Sequence, residues 1–89
     1  MTEELKPELI FPCDFSLKVI GKDEDQFMDF VVELVSHHVS GLPVESFSAH
    51  SSSAGKYLSI SVAFMAESRA QVDALYQEMT RHKRILMAL

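Results

Sequence analysis

Leu58, Ile60, Val62 and Phe64 fall at every second position, with Tyr57, Ser59, Ser61, Ala63 and Met65 between them. Successive strand side chains point to opposite faces, so this stretch is a strand with one apolar face and one small, largely hydroxylated face. It is the cleanest alternation in the chain and predicts a central strand against which the rest packs. An earlier alternation puts Phe11, Cys13, Phe15, Leu17 and Val19 on one face and Asp14, Ser16, Lys18 and Ile20 on the other. Pro12 suits the entry of such a strand, since it has no N–H for the ladder. Gly21 and Lys22 are then expected to turn the chain.

The next stretch changes period. Phe27, Val31, Leu34 and Val35 make one helical stripe, flanked by Met28, Phe30, Val32 and Val39, with Asp29, Glu33, Ser36 and His37 opposite. Asp23 is the expected N-cap, with Gln26 at the capping-box distance, and the helix is expected to run to about residue 40. Gly41 suits a left-handed cap, and Pro43 stops the helix from resuming. Residues 44–50 read as a weaker edge strand with Phe47 and Ala49 on one side. A second helix starts after Ser68, with Gln71 at the capping-box position and Val72, Leu75, Tyr76 and Met79 as its apolar stripe. The terminal run Ile85, Leu86, Met87, Ala88, Leu89 is too short for a helix and reads as a last strand.

The order strand, helix, strand, strand, helix, strand is that of a ferredoxin-like α+β sandwich. It predicts a four-stranded antiparallel sheet with both helices on one face and the hydroxylated face open. Residues 1–10, rich in Glu and broken by Pro7, read as a flexible acidic arm, and residues 11–89 as one domain. The expected core is Phe15, Leu17, Leu58, Ile60, Val62 and Phe64 from the sheet, with Phe27, Val31, Leu34, Val72 and Leu75 from the helices.

Composition narrows the function classes. Hydrophobic residues at 47% and charged residues at 24% are globular values. The net charge of −5 argues against a general nucleic-acid binder, because phosphate affinity comes from Lys and Arg. The positions that would carry stacking aromatics in an RNA-reading module hold mainly Ser16, Lys18, Ser59 and Ser61. No apolar run reaches the ~18 residues of a spanning helix, and the N-terminus lacks a secretory pattern. No membrane association is expected, and the location expected is cytoplasmic. A single cysteine, Cys13, permits no internal disulfide and no multi-thiolate metal site.

Candidate chemistry is sparse. The turn containing Ser52, Ser53, Gly55 and Lys56 offers N–H groups, hydroxyls and an ammonium for an anion. It lacks the P-loop pattern, since His50 and Tyr57 stand where a glycine and a hydroxyl residue belong. The plainer reading is a hairpin loop whose serines satisfy its own backbone. His37, His38, His50 and His82 show no i, i+4 pairing, so no metal is expected, and His38 is expected to bond a carbonyl. Asp25, Asp29 and Glu33 read as a solvated helix face, and Cys13 as a small core hydrophobe. No nucleophile–base pair can be assembled from spacing, so neither catalysis nor a cofactor is expected.

Phe11-Pro12 with Phe15, Lys18-Val19 with Gly21, Ser52-Ser53 with Gly55, Tyr57 and Ser59, Gln71-Val72 with Leu75-Tyr76, and Leu86-Met87 with Leu89 resemble the YbeD-like family of small bacterial proteins. The resemblance spans nearly the whole chain after the acidic arm. It implies a ferredoxin-like fold similar to the ACT-type regulatory domains of amino-acid metabolism, with no established catalytic residues. Family genes often neighbour a lipoate-attachment gene. The function expected is therefore a regulatory or protein-interaction module without catalysis. The alternative is an ACT-like sensor of a small metabolite, an amino acid or a lipoate-related compound.

The terminal run adds an interface. It is apolar at every position, whereas a strand with one solvated face should alternate. At a sheet edge it would expose an unpaired ladder, and no Pro or charge follows Arg84 to discourage pairing. Leu86 and Ala88 are expected on the open face near Ile20, Ser59 and Ser61. These five residues define the expected surface for a homodimer or a partner protein.

Overall fold

The computed structural model describes residues 10–89; apart from Ile10, the acidic arm lies outside them. The elements are β1 (Cys13–Lys22), α1 (Phe27–Ser36), β2 (Phe47–Ser51), β3 (Tyr57–Ala66), α2 (Arg69–Arg81) and β4 (Ile85–Ala88). They form a four-stranded antiparallel sheet in the order β2-β3-β1-β4, with the ferredoxin-like arrangement expected. The two strongly alternating strands are central. They pair without interruption from Cys13 opposite Ala66 to Lys22 opposite Tyr57.

Both helices cover the same face. Leu17, Val19, Ile60, Val62 and Phe64 from the sheet meet Phe27, Val31, Leu34 and Val35 of α1 and Val72, Leu75 and Met79 of α2. No polar or charged residue is buried among the described residues. Phe15 and Leu58, expected in the centre, are half-buried neighbours of this cluster, which Val39, Phe47 and Ala66 join. Phe15 instead packs on Phe64 and Tyr76, with ring centroids 5.7 and 6.3 Å away.

Five local expectations are corrected. Gly21 and Lys22 do not turn the chain: β1 continues through both, and Gly21 is buried. The first helix starts at Phe27, not after Asp23, and no side chain caps it. Asp25 and Gln26 take left-handed backbone conformations, at φ 52° and 56°, which displaces the helix start. Arg84 holds this turn from across the fold, donating from Nη2 to the carbonyl oxygens of Glu24 at 2.6 Å and Asp25 at 2.8 Å. Its guanidinium lies over the rings of Phe27 and Phe30.

The helix also ends sooner, at Ser36, although Gly41 has the expected positive φ of 79°. Val44–Ser46 form a short 3-10 turn, so β2 begins only at Phe47, and Ala49 is exposed at the sheet edge. Finally, β4 carries a bulge. Gly21 faces Ile85 and Ile20 faces Met87, which leaves Leu86 as the extra residue. A bulge shifts the alternation by one, so Ala88 lies opposite Val19 on the helix-covered side, packed against the core.

The second helix starts as expected. The Gln71 N–H donates to Ser68 Oγ at 3.1 Å, and Gln71 Oε1 accepts from the Glu67 N–H at 2.8 Å. The same side chain donates from Nε2 to the His38 carbonyl at 2.9 Å, tying the start of α2 to the end of α1.

Candidate functional site

Strand register lays out the uncovered sheet face as a grid. One row across the four strands is His50, Ser59, Ile20 and Met87. The next is Ser48, Ser61 and Lys18, continued by Leu89, whose N–H and carbonyl both bond the backbone of Lys18. Ser16 beside Ala63 and Asp14 beside Met65 follow towards one end, and Lys22 beside Tyr57 closes the other. The floor is thus made of short side chains, with hydroxyls in the middle.

Most large hydrophobics that remain exposed are gathered here. Met65, Met87 and Leu89, at 53%, 52% and 61% exposure, belong to this face, and Tyr57 stands at its end. Leu86 is equally exposed but sits at the bulge, where it lines a shallow pocket together with Lys22, Glu24, Lys83 and Arg84. Two shallow grooves cross the floor and share Lys18 and Ser61. One, of about 490 Å³, runs past Ile20, His50, Ser59 and Tyr57; the other, of about 390 Å³, runs past Ser16, Ser48, Ala63 and Leu89.

Of the residues expected at an interface, Ile20, Ser59 and Ser61 are together on this face. Leu86 lies at its margin, and Ala88 is on the opposite side. Met87 occupies the place beside Ile20 that alternation assigns to Leu86 or Ala88. Sequence reasoning also missed His50 and Leu89 as members of the face. Their signal was available, since the cross-strand neighbours of Ser59 and Lys18 follow once the register is known. The bulge itself leaves no periodic trace.

The β2–β3 turn spends the polar groups of Ser52 and the Gly55 N–H internally. The Ser52 N–H donates to the Tyr57 carbonyl at 2.9 Å, and the Tyr57 N–H donates back to Ser52 Oγ at 3.2 Å. The Gly55 N–H donates to the Ser52 carbonyl at 2.9 Å, and Gly55 has φ 74°. Ser53 and Lys56 are exposed on the rim. With these N–H groups committed, Ser52 and Gly55 serve the loop, and its only share in the face is the wall that Ser52 gives the larger groove.

A second polar cluster lies on the helix layer. His38 Nε2 meets Glu78 Oε1 at 2.5 Å, and His82 Nε2 is 3.6 Å from Glu78 Oε2. The His38 partner is thus a carboxylate and not the carbonyl expected. Its hydrogen bond, helped by the charge of His38 and the contact from His82, holds the Glu78 carboxyl below the ordinary value against the opposing effect of burial. Among the described residues, no three of His, Cys, Asp and Glu are grouped as a metal ion would require. Likewise, no helix there is long and apolar enough to cross a membrane.

Comparison with known proteins follows the same outline. Residues 6–89 match the family model described as "Protein of unknown function (DUF493)". A UPF0250 protein from Nitrosomonas europaea is 36% identical over 89 residues, covering all of both chains. Another, from Chromobacterium violaceum, is 33% identical over the same full length. Among solved structures, the solution structure of protein HP0495 from H. pylori has the same fold. It gives a TM-score of 0.70 at 19% identity, covering 98% of this chain and 91% of that one. The YbeD-like residue pattern, the family match and the full-length relatives agree: the chain belongs to the DUF493 (UPF0250) family.

Proposed function

We propose that this chain is a protein-interaction module without catalysis, and that its working surface is the open face of the sheet. One observation carries the reading. The helices seal one side of the sheet, while the other presents a floor of small hydroxylated residues bordered by exposed Met65, Met87 and Leu89. Short side chains let another chain approach the backbone closely, and clustered exposed apolar residues gain by being covered. The bulge at Leu86 favours the face over the β4 edge, because bulges blunt an edge against further strand pairing. A cytoplasmic, regulatory role of the ACT type fits this surface.

Photo-crosslinking in cells tests the proposal. A photoreactive phenylalanine derivative replaces Ala63 on the face or Asp73 on α2, both exposed. Discrete adducts from position 63 that are absent from position 73 are expected; equal patterns, or no adduct from position 63, refute the assignment. The larger groove supports a metabolite-sensor reading in second place, since about 490 Å³ is within the usual 300–1,000 Å³ of small-ligand sites. A sensor would be stabilised saturably, by about 2.7 kcal/mol at one hundred times the dissociation constant. A thermal-shift screen of amino acids and lipoyl compounds without any such rise counts against it.

A further inference from the structure

Counted over the side chains of its strand residues, the open face has the opposite sign of charge to the chain as a whole. The chain has net charge −5, yet among the described residues the strands of this face hold Lys18 at its centre and Lys22 at one end, with Asp14 as their acidic side chain at the far corner. Lys18 and Asp14 are four residues apart along β1, about 13 Å at the usual strand rise. Among the described residues no carboxylate lies within 4.0 Å of the Lys18 ammonium. Around it stand Ser16, Ser48 and Ser61, which supply hydroxyls, and on either side lie Ile20 with Met87, and Leu89.

Building on the reading of this face as an interaction surface, we propose that its occupant is an acidic, amphipathic segment of a different protein. A carboxylate of that segment sits over Lys18, with the serine hydroxyls donating to its remaining lone pairs. Its apolar residues cover Ile20, Met87 and Leu89. A complementary charge at the centre fixes register and speeds encounter more than it adds affinity.

Two features disfavour a second copy as the occupant. Two copies stacked face to face about a central two-fold axis bring their Lys18 side chains together, with no acidic side chain among the described residues near the middle of either face. Like charges in a drying interface are costly. Size points the same way. The face consists of five residues each from β1 and β3, Ser48 and His50 from β2, and Met87 with Leu89, fewer than the roughly 20–30 per partner of a standard stable interface. A short segment of a transient partner suits that footprint better than a permanent dimer.

The test uses isotope-labelled full-length protein titrated with a synthetic peptide bearing a Glu stripe beside a Leu stripe, and with its Lys-for-Glu counterpart. The acidic peptide is expected to shift the amides of Lys18, Ile20, His50, Ser59, Ser61 and Met87 saturably, more weakly as salt rises. The basic peptide should not. Lys18→Met should weaken the acidic peptide about tenfold, the worth of one charge contact. Arg69→Met, the same charge change on α2, should leave it within about twofold. Equal response to both peptides, or shifts confined to the helix layer, overturns the acidic assignment. Sedimentation of the wild type and of Met87→Lys separates this failure from that of the broader reading. A wild-type dimer dissolved by Met87→Lys makes the occupant a second copy, which refutes the acidic partner but keeps the face as the interface.

Discussion

Replacing Gly21 with alanine is the sharpest probe of how β1 leaves the sheet. Gly21 is buried, paired with Leu58 on one side and Ile85 on the other. An added Cβ would lie 2.5 Å from both the Arg84 carbonyl oxygen and Phe27 Cε1, and nearer still to Phe27 Cζ. Neither neighbour yields easily. Phe27 is 1% exposed, and the Arg84 oxygen belongs to the backbone that leads into β4. Moving the ring also disturbs the guanidinium of Arg84, stacked over it and bonded to the turn before α1. Overpacking of this kind costs about 1–3 kcal/mol, and two rigid contacts place Gly21→Ala near 3 kcal/mol. For a domain of this length, that lowers the melting temperature by roughly 15 °C. Gly41→Ala is the control: its Cβ meets nothing within 4 Å, but φ is 79°, so only the left-handed backbone cost of about 1–2 kcal/mol applies. Urea and thermal unfolding followed by circular dichroism give both values. A loss below about 1 kcal/mol for Gly21→Ala, or a larger one for Gly41→Ala, would refute the close approach and put the end of β1 before Gly21.

Three further outcomes follow from the packing. Ile60→Ala, at a site 1% exposed between sheet and helices, should cost about 2–5 kcal/mol in urea unfolding; a loss below about 1 would contradict the β3 register. Ser68→Ala should cost about 1 kcal/mol by freeing the Gln71 N–H, and an unchanged midpoint would remove Ser68 as the cap. Glu78 has a folded-state pKa below its ordinary value of 4.5, so its contribution is complete above that value and lost as pH falls through the depressed one. Glu78→Gln should therefore lower stability above pH 4.5 and flatten the acid limb of the stability curve; identical acid limbs would show that the contact with His38 adds nothing.

What the sequence disclosed and what it concealed divide along the range of the interactions involved. The alternation of β3 and β1, the Ser68 cap and the apolar stripe of α2 are all local, and each is visible in residues a few positions apart. The start of α1 is not local. Asp23 with Gln26 has the spacing of a capping box, but Arg84, some 60 residues on, binds Glu24 and Asp25 and stabilises a different turn. Gly21 resembles a turn glycine because glycine serves both turns and close approaches, and only the position of Phe27 separates the two. The candidate face was legible in β3 and β1, where Ser59, Ser61 and Ile20 sit as their alternation predicts. It was not legible in β4, where one bulged residue moves Ala88 to the core side and brings Met87 out. The His38–Glu78 contact joins residues 40 apart and has no sequence spacing to betray it.

The central claim, that the open sheet face is covered by another protein, is tested most directly by footprinting the unmodified chain. Amine-reactive labelling and methionine oxidation, read by mass spectrometry, compare the protein inside cells with the same protein purified. Lys18, Met65 and Met87 report on the face, Lys83 lies beside the β4 bulge away from its centre, and Met28 is on α1. The result expected is selective protection of Lys18, Met65 and Met87 in cells, lost on purification, with Lys83 and Met28 unchanged. Equal reactivity of Lys18, Met65 and Met87 in the two settings would contradict the claim, as would protection confined to Met28 and the helix layer.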